Sequence, residues 1–120
     1  MRPLLALLLF FSPSSFGYSG NQLLEDLNST DEMSVGFALG YIGGVSQAAS
    51  TTGVEGKCIK LPNGITGQQT NKIAEKYLED NPQLTHINAQ EIVLLSLITA
   101  FGFAEAYPDS EGDFCPYGKG

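Results

Sequence analysis

Residues 31–52 read DEMSVGFALGYIGGVSQAASTT, and this stretch decides the fold class. Its apolar residues recur at intervals of three or four, which is typical of one face of an α-helix. They are Val35, Ala38, Leu39, Ile42, Val45 and Ala49. The sequence therefore predicts a helix over residues 31–52 that buries this stripe in a core.

A second row on the same predicted helix consists of small residues at steps of four, Gly36, Gly40, Gly44 and Ala48. Each glycine inside a helix costs about 0.5 to 1 kcal/mol relative to alanine, so such a row needs compensation from packing. A smooth ridge of this kind allows another backbone to approach closely. We therefore expect a second helix to pack against it.

The lack of charge between Met33 and Val54 raises the alternative of a membrane span, because small residues four apart also occur in membrane helices. Several polar side chains argue against a span. They are Ser34, Ser46, Gln47, Ser50, Thr51 and Thr52. The segment is better interpreted as a helix of a soluble bundle, and the pair Ser29 and Glu32 predicts a capping box at its start.

Capping signals and helical spacing predict three more helices, while strand signals are nearly absent. These helices cover residues 21–28, about 66–80 and about 88–106. Thr66 and Gln69 form a capping box at the start of the third helix, and Asn88 caps the last one. The predicted fold is therefore all-α, a small four-helix bundle.

The last predicted helix is the most apolar element of the chain. Its apolar residues cover most of the helix circumference. They are Ile92, Val93, Leu94, Leu95, Leu97, Ile98, Phe101 and Phe103. We expect this helix either to lie at the centre of the fold or to bury one side in a second subunit, which would make the protein a homodimer.

The chain begins with a segment that is typical of an export signal. Arg2 precedes an apolar run over residues 4–11 that is too short to span a bilayer. A cut after Gly17, with Ser15 two residues before it, fits the small-residue rule for cleavage, and an uncleaved anchor is the alternative. The predicted organisation is a signal peptide over residues 1–17 and a single domain over residues 18–120, of which 106–120 form a loosely ordered tail.

The chain is acidic, with 13 Asp and Glu residues against 6 Lys and Arg residues. Its net charge of −7 becomes −8 once Arg2 leaves with the signal peptide. A surface of this sign disfavours nucleic acid as a partner. Neutral or basic partners fit it, although solubility alone accounts for such a charge, and we expect no membrane contact after cleavage.

Two cysteines, Cys58 and Cys115, are present. For an exported protein, a single disulfide is the default interpretation. A catalytic thiol is the alternative, but His86 is the only histidine and the sequence beside the cysteines shows no arrangement built to lower a thiol pKa. The sequence also lacks metal-ligand spacing, a phosphate-binding glycine loop and a Ser/His/Asp set, so we expect no enzyme activity, no metal and no cofactor.

Three motifs follow one another along the chain. Residues 36–45 read GFALGYIGGV, residues 58–62 read CIKLP, and residues 76–82 read KYLEDNP. Together with Thr66 and Gln69, these motifs resemble the Rap/Tai family of immunity proteins. The resemblance implies a small helical bundle, similar in fold to acid chaperones, that is exported to the periplasm.

Proteins of that family bind peptidoglycan amidase effectors delivered by type VI secretion and block the toxin's cleft, which protects kin cells. The resemblance therefore implies a protein toxin as the partner and steric occlusion as the mechanism. Two segments are the candidate contact surface, the loop after Cys58 and the end of the third helix with the turn that follows. The candidate partner-binding residues are Lys60, Leu61, Asn63, Glu79, Asp80, Gln83 and His86.

A periplasmic acid-stress chaperone is the alternative function, because a similar helical fold, one disulfide and a surplus of acids fit it as well. Protonation of the 13 carboxylates would leave a positively charged chain that repels itself and opens. A hydrolase is disfavoured, since the sequence offers no nucleophile with a suitable base.

Overall fold

The computed structural model describes residues 17–105, 107–109 and 112–115. Apart from Gly17, the predicted signal peptide lies outside the described residues. The predicted helices are confirmed within them as α1 (Gly20–Leu27), α2 (Glu32–Thr51), α3 (Gly67–Asp80) and α4 (Ala89–Phe101). None of these described helices is long and apolar enough to cross a membrane.

Side-chain hydrogen bonds set the starts of α3 and α4 as predicted. The Gln69 N–H donates to the Thr66 hydroxyl at 3.1 Å, and the Thr66 N–H donates to the Gln69 side chain at 2.8 Å. The Gln90 N–H donates to the Asn88 side chain at 2.8 Å. Each bond satisfies an amide that the helix itself leaves unpaired, so these boundaries are local properties of the sequence.

The predicted capping box at the start of α2 is wrong. The N-cap of α2 is Asp31, and the Ser29 hydroxyl accepts from the Asp31 N–H at 3.0 Å instead of reaching the first turn of the helix. The Asp31 carboxylate in turn accepts from the Ser34 hydroxyl at 2.9 Å. Ser29 therefore stabilises the turn before the helix and does not cap it.

Helix α4 lies at the centre of the bundle, the first of the two alternatives that its sequence allowed. It packs against α1, α2 and α3. Its buried residues are Ala89, Ile92, Val93, Leu94, Ser96 and Leu97. The helix ends at Phe101, earlier than predicted, because Gly102 adopts a φ of 80° and turns the backbone away.

Two small antiparallel sheets make the fold nearly, but not purely, all-α, which corrects the predicted class. β1 (Lys57–Ile59) pairs with β2 (Phe103–Glu105), and β3 (Tyr107–Asp109) pairs with β4 (Gly112–Phe114) inside the predicted tail. The sequence did not predict them, because a strand of three residues has no periodicity to detect. Moreover, α3 and α4 separate β1 from β2 in sequence, so the pairing of these strands depends on how the two helices pack.

The predicted disulfide between Cys58 and Cys115 is confirmed. The two Cα atoms lie 5.4 Å apart, and both residues are buried. The Cys115 N–H also donates to the Thr51 carbonyl oxygen at 2.7 Å, which joins the end of the described chain to the last turn of α2. Because the bond closes a loop with a sequence separation of 57, it restricts the unfolded chain by about 4 kcal/mol in the entropic model.

The predicted packing of a helix against the small-residue row of α2 is wrong for the described residues. A Cβ atom added at Gly36, Gly40 or Gly44 would have no side-chain atom, and no backbone atom outside the adjacent turns of its own helix, within 4 Å. Leu39, assigned to the core stripe, is 38% exposed. The stripe members that are buried are Ala38, Ile42 and Ala49. Helix α2 thus has one face in the core and an opposite face that is open.

A close backbone approach occurs instead at the start of α1. A Cβ atom on Gly20 would lie 2.9 Å from the carbonyl oxygen of Thr85 and 3.2 Å from the Leu78 side chain. The Gly20 N–H donates to the Ile87 carbonyl at 2.9 Å, and the Asn21 N–H donates to the Thr85 carbonyl at 2.7 Å. Glycine is required at position 20 because any side chain would push α1 away from this turn.

Candidate partner-binding groove

The loop after β1 is one of the two segments that the sequence singled out. The Ile65 N–H donates to the Pro62 carbonyl at 3.3 Å, and Gly64 has a φ of 83°, a conformation that favours glycine. Asn63 is exposed at this turn, while Leu61 is half-buried against the core. The cystine at Cys58 lies just before the loop, so one end of the loop is held rigidly.

A groove runs between α3 and α4 from this loop toward the end of α3. It consists of two hollows, of about 310 and 290 Å³, that adjoin at Ile73. The first is lined by Pro62, Asn63, Gly64, Ile65, Gln69, Ile73 and Phe101. The second is lined by Ile73, Lys76, Tyr77, Asp80, Ser96, Thr99 and Ala100. We call these residues together the α3–α4 groove.

The far end of the α3–α4 groove carries one ion pair. Lys76 Nζ lies 2.9 Å from Asp80 Oδ2, and both side chains are mostly exposed. The hydrogen bond to Asp80 raises the pKa of Lys76 above its ordinary value. An exposed pair four residues apart contributes little to stability, and its two charges can therefore be redirected toward a partner.

The structure brings the two predicted segments together only in part. Asn63 lines one end of the groove and Asp80 lines the other. Leu61 lies beside the loop turn, where it lines a separate hollow of about 160 Å³ between α2 and α3. Lys60 is exposed where the loop leaves β1, and its N–H donates to the Gly102 carbonyl at 3.4 Å.

The remaining predicted residues lie outside the lining of the groove. Glu79 is exposed on the last turn of α3, and Gln83 is exposed on a 3₁₀ turn, Pro82–Leu84. The Gln83 side-chain amide donates to Asn81 Oδ1 at 3.3 Å. His86 is exposed between this turn and α4. These three side chains continue the surface beyond Asp80 and can contact only a partner that extends past the groove.

The floor of the groove was not predicted from the sequence. Ile73 and Tyr77 stand at helical spacing on the same apolar face of α3 as Ala74 and Leu78, but only the latter two are buried. Ile73, Tyr77 and Phe101 are half-buried and line the groove. Helical spacing places residues on a face, and it does not say how far the neighbouring helix covers that face, so no local signal would have separated these residues from the core.

The lining of the groove suits binding more than chemistry. It contains no histidine and no cysteine, and its floor is apolar. Among the residues that the structure describes, no group of three or more His, Cys, Asp or Glu side chains could hold a metal ion. The arrangement offers apolar contacts in the middle, a polar turn at one end and a pair of charges at the other.

Comparison with known proteins matches most of the chain to one family. The model of the family described as Rap1a immunity proteins matches residues 19–103. The matched segment contains all four described helices, the loop after β1 and every residue of the α3–α4 groove. Comparisons with curated proteins and with solved structures found no match.

Proposed function

This chain belongs to the family of Rap1a immunity proteins, and we propose that it is a periplasmic inhibitor of a peptidoglycan amidase delivered by type VI secretion. Membership of the family makes it an immunity protein for a secreted effector, whose partner is a toxin or effector protein. The amidase, the secretion system and the periplasm are our proposal. The family match is the observation that carries it, and the resemblance of three sequence motifs to the Rap/Tai proteins supports the choice of target.

We propose that inhibition is steric, with the loop turn at 62–64 entering the toxin's cleft and the rest of the α3–α4 groove contacting its rim. A loop held by a buried cystine at one end loses little conformational entropy on binding. The apolar floor at Ile73, Tyr77 and Phe101 supplies contacts that exclude water. In this arrangement the inhibitor needs no reactive group of its own.

Export is proposed to remove residues 1–17 and leave Tyr18 as the first residue. The described fold supports this cut, because Tyr18 is already held by the domain. Its carbonyl accepts from the Ala89 N–H at 2.7 Å, and its phenol donates to Asp26 Oδ2 at 2.6 Å. The Cys58–Cys115 disulfide is also of a kind that persists in an oxidising compartment.

A homodimer is not required by this function. The sequence suggested that the last helix could bury one side in a second subunit. Helix α4 buries Ile92, Val93, Leu94 and Leu97 within its own chain, while Leu95, Ile98 and Phe101 are half-buried. Its exposed positions include Gln90, Glu91 and Thr99, which are polar. Sizing of the mature protein would detect a dimer that accompanies the proposed function.

The proposal is tested by expressing a panel of amidase effectors in the periplasm of a sensitive strain, each with and without this chain. We expect full-length chain to restore growth against at least one amidase and to inhibit that purified enzyme. The same chain without residues 2–17 should fail to rescue, because it stays in the cytosol. Rescue only against an effector of another class would refute the proposal that the target is an amidase, and it would leave the family membership unaffected.

The groove is tested by replacing Asn63 and Asp80 together with alanine. Because these residues lie at its two ends, we expect affinity for the inhibited amidase to fall by about tenfold or more. The matched control is Lys72→Ala, an exposed change elsewhere on α3 that should leave affinity unchanged. Unchanged affinity in the double variant would exclude the groove ends as a contact surface.

A further inference from the structure

Helix α2 exposes large apolar side chains on its outward side. Met33 is 81% exposed and Phe37 is 56% exposed, and Gly36, Gly40 and Gly44 are exposed on the same side of the helix. We call these five residues the outer α2 face. It shares no residue with the α3–α4 groove. Clustered apolar residues left in water are typical of a surface that binds another molecule.

A hollow of about 330 Å³ opens beside this face, between α2 and the first turn of α4. Its lining is Gly40, Tyr41, Gly44, Val45, Ala48, Val54 and Gln90. The missing side chains of Gly40 and Gly44 leave the hollow open, since a Cβ atom at either position would meet nothing within 4 Å. Alanine would fit there and would favour the helix by about 0.5 to 1 kcal/mol per position, so the internal packing does not explain the glycines.

Phe37 stands next to the hollow on an ordered aromatic support. Its ring centroid lies 5.3 Å from that of Tyr18 in an edge-on arrangement, and Tyr18 contacts Tyr41 at 5.0 Å. The Tyr18 phenol is fixed by its 2.6 Å hydrogen bond to Asp26. An exposed ring that is already held in place loses little entropy when a partner covers it, which is the property of a binding anchor.

The charged residues of the segment that carries the outer α2 face are all acidic. Residues 17–56 contain no lysine and no arginine, whereas they contain five carboxylates. Asp31 and Glu32 are exposed beside Met33 at one end of α2, and Glu55 is exposed beyond the other end. The next base along the chain, Lys57, places its ammonium 5.8 Å from the centre of the Phe103 ring. The face is therefore an uncharged apolar centre with acidic ends.

We propose that the outer α2 face and its hollow bind a protein surface that presents an apolar side chain flanked by lysine or arginine. The apolar side chain occupies the hollow between Gly40 and Gly44, and the basic residues meet Asp31 and Glu32. A second copy of this chain fits less well, because it would bring carboxylates to carboxylates. This inference goes beyond amidase inhibition and does not depend on it.

The probes are two synthetic amphipathic helical peptides with the same apolar stripe, one flanked by lysines and one by glutamates. Binding to the full mature protein is measured by fluorescence anisotropy at two salt concentrations. We expect the lysine peptide to bind, more weakly at high salt, and the glutamate peptide not to bind. Equal binding of both peptides would refute the charge argument.

Gly44→Leu fills the hollow and should weaken binding of the lysine peptide by about tenfold or more. Because the position is open, the variant should still fold. Its thermal unfolding temperature should equal or exceed that of wild type. The matched control, Gly67→Leu, is exposed on α3 and should bind like wild type. Unchanged binding in Gly44→Leu would refute the site, and a wild-type dimer that Gly44→Leu dissociates would assign the face to a second copy instead.

Discussion

Helices α2 and α4 have nearly the same charge content, yet the fold uses them in opposite ways. Each contains a single charged residue, Glu32 in α2 and Glu91 in α4. Helix α4 is buried on most of its circumference, whereas α2 buries one stripe and leaves Met33 and Phe37 in water. The comparison teaches that a lack of charge does not imply burial. What separates the two helices is side-chain size, since α4 is rich in leucine and isoleucine and α2 in glycine and alanine.

The largest effect is expected in α4. Leu97 is fully buried, so Leu97→Ala should lower the free energy of unfolding by about 2 to 5 kcal/mol through lost transfer energy and a residual cavity. Urea unfolding followed by circular dichroism measures the change. Thr99→Ala, an exposed change on the same helix, should stay within about 0.5 kcal/mol. A loss of less than 1 kcal/mol for Leu97→Ala would contradict the central position of α4.

A smaller loss of stability is expected at Tyr18, whose ring contacts Phe37 and Tyr41 of α2. Tyr18→Phe removes the donor to Asp26, so it should destabilise the fold by about 1 to 3 kcal/mol. The substitution should also change how the free energy of unfolding depends on pH at alkaline pH. Burial, and then the hydrogen bond to Asp26, raises the pKa of Tyr18 above its ordinary value, and burial raises the pKa of Tyr41 as well.

The sign follows from proton uptake, because the folded state keeps the Tyr18 proton at a pH where the unfolded chain has lost it. This stabilisation is complete below the unfolded pKa of about 10 and is lost as pH rises above it. Tyr18→Phe should therefore show a shallower loss of stability above pH 10 than wild type, with Tyr41 responsible for the remainder. If the free energy of unfolding fell equally steeply above pH 10 for wild type and Tyr18→Phe, the pKa of Tyr18 would not be raised by folding.

Replacing glycine by alanine should change stability in opposite directions at Gly40, on the open face of α2, and at Gly20, at the packed start of α1. Gly40→Ala should stabilise the protein by about 0.5 to 1 kcal/mol, because the methyl group enters open space and alanine favours the helix. Gly20→Ala should destabilise it, since the new Cβ would lie 2.9 Å from the Thr85 carbonyl oxygen. Thermal unfolding of both variants provides the test, and a destabilised Gly40→Ala protein would mean that a helix does pack on this row.

The smallest effect is expected at the most exposed apolar residue of α2. Met33 is 81% exposed, so Met33→Gln should change the free energy of unfolding by less than about 0.5 kcal/mol in urea. Binding of the lysine peptide should nevertheless weaken, because the apolar area of the face is reduced. A large loss of stability would show that Met33 is packed in solution.

Some parts of the fold could be predicted because their causes lie within a few residues. The capping box of Thr66 and Gln69 and the cap at Asn88 are bonds between near neighbours, and helical spacing identified α1 to α4. The pairing of Cys58 with Cys115 followed from there being only two cysteines. The capping box at Ser29 failed because the helix begins two residues later than it requires, and the Ser29 hydroxyl is used by the Asp31 N–H in the preceding turn.

The candidate site was predicted less well. Asn63 and Asp80 do lie on one groove, but Glu79, Gln83 and His86 lie beyond it, and the floor at Ile73 and Tyr77 was not among the predicted contact residues. A groove is the space that two packed helices leave between them. Its lining depends on the distance and angle between α3 and α4, which neither helix encodes alone.

The sequence by itself determined the helices, their order along the chain, the single cystine, the acidic net charge and the uncharged segment of α2. Each of these is a property of composition or of contacts across one helical turn, so it can be read before the chain folds. Only the tertiary structure decided that α4 is central, that the short strands β1 and β2 pair, and that the glycine row of α2 faces outward. These outcomes depend on which apolar faces compete for one small core, and the larger side chains of α4 bury more area there than the glycines of α2 can.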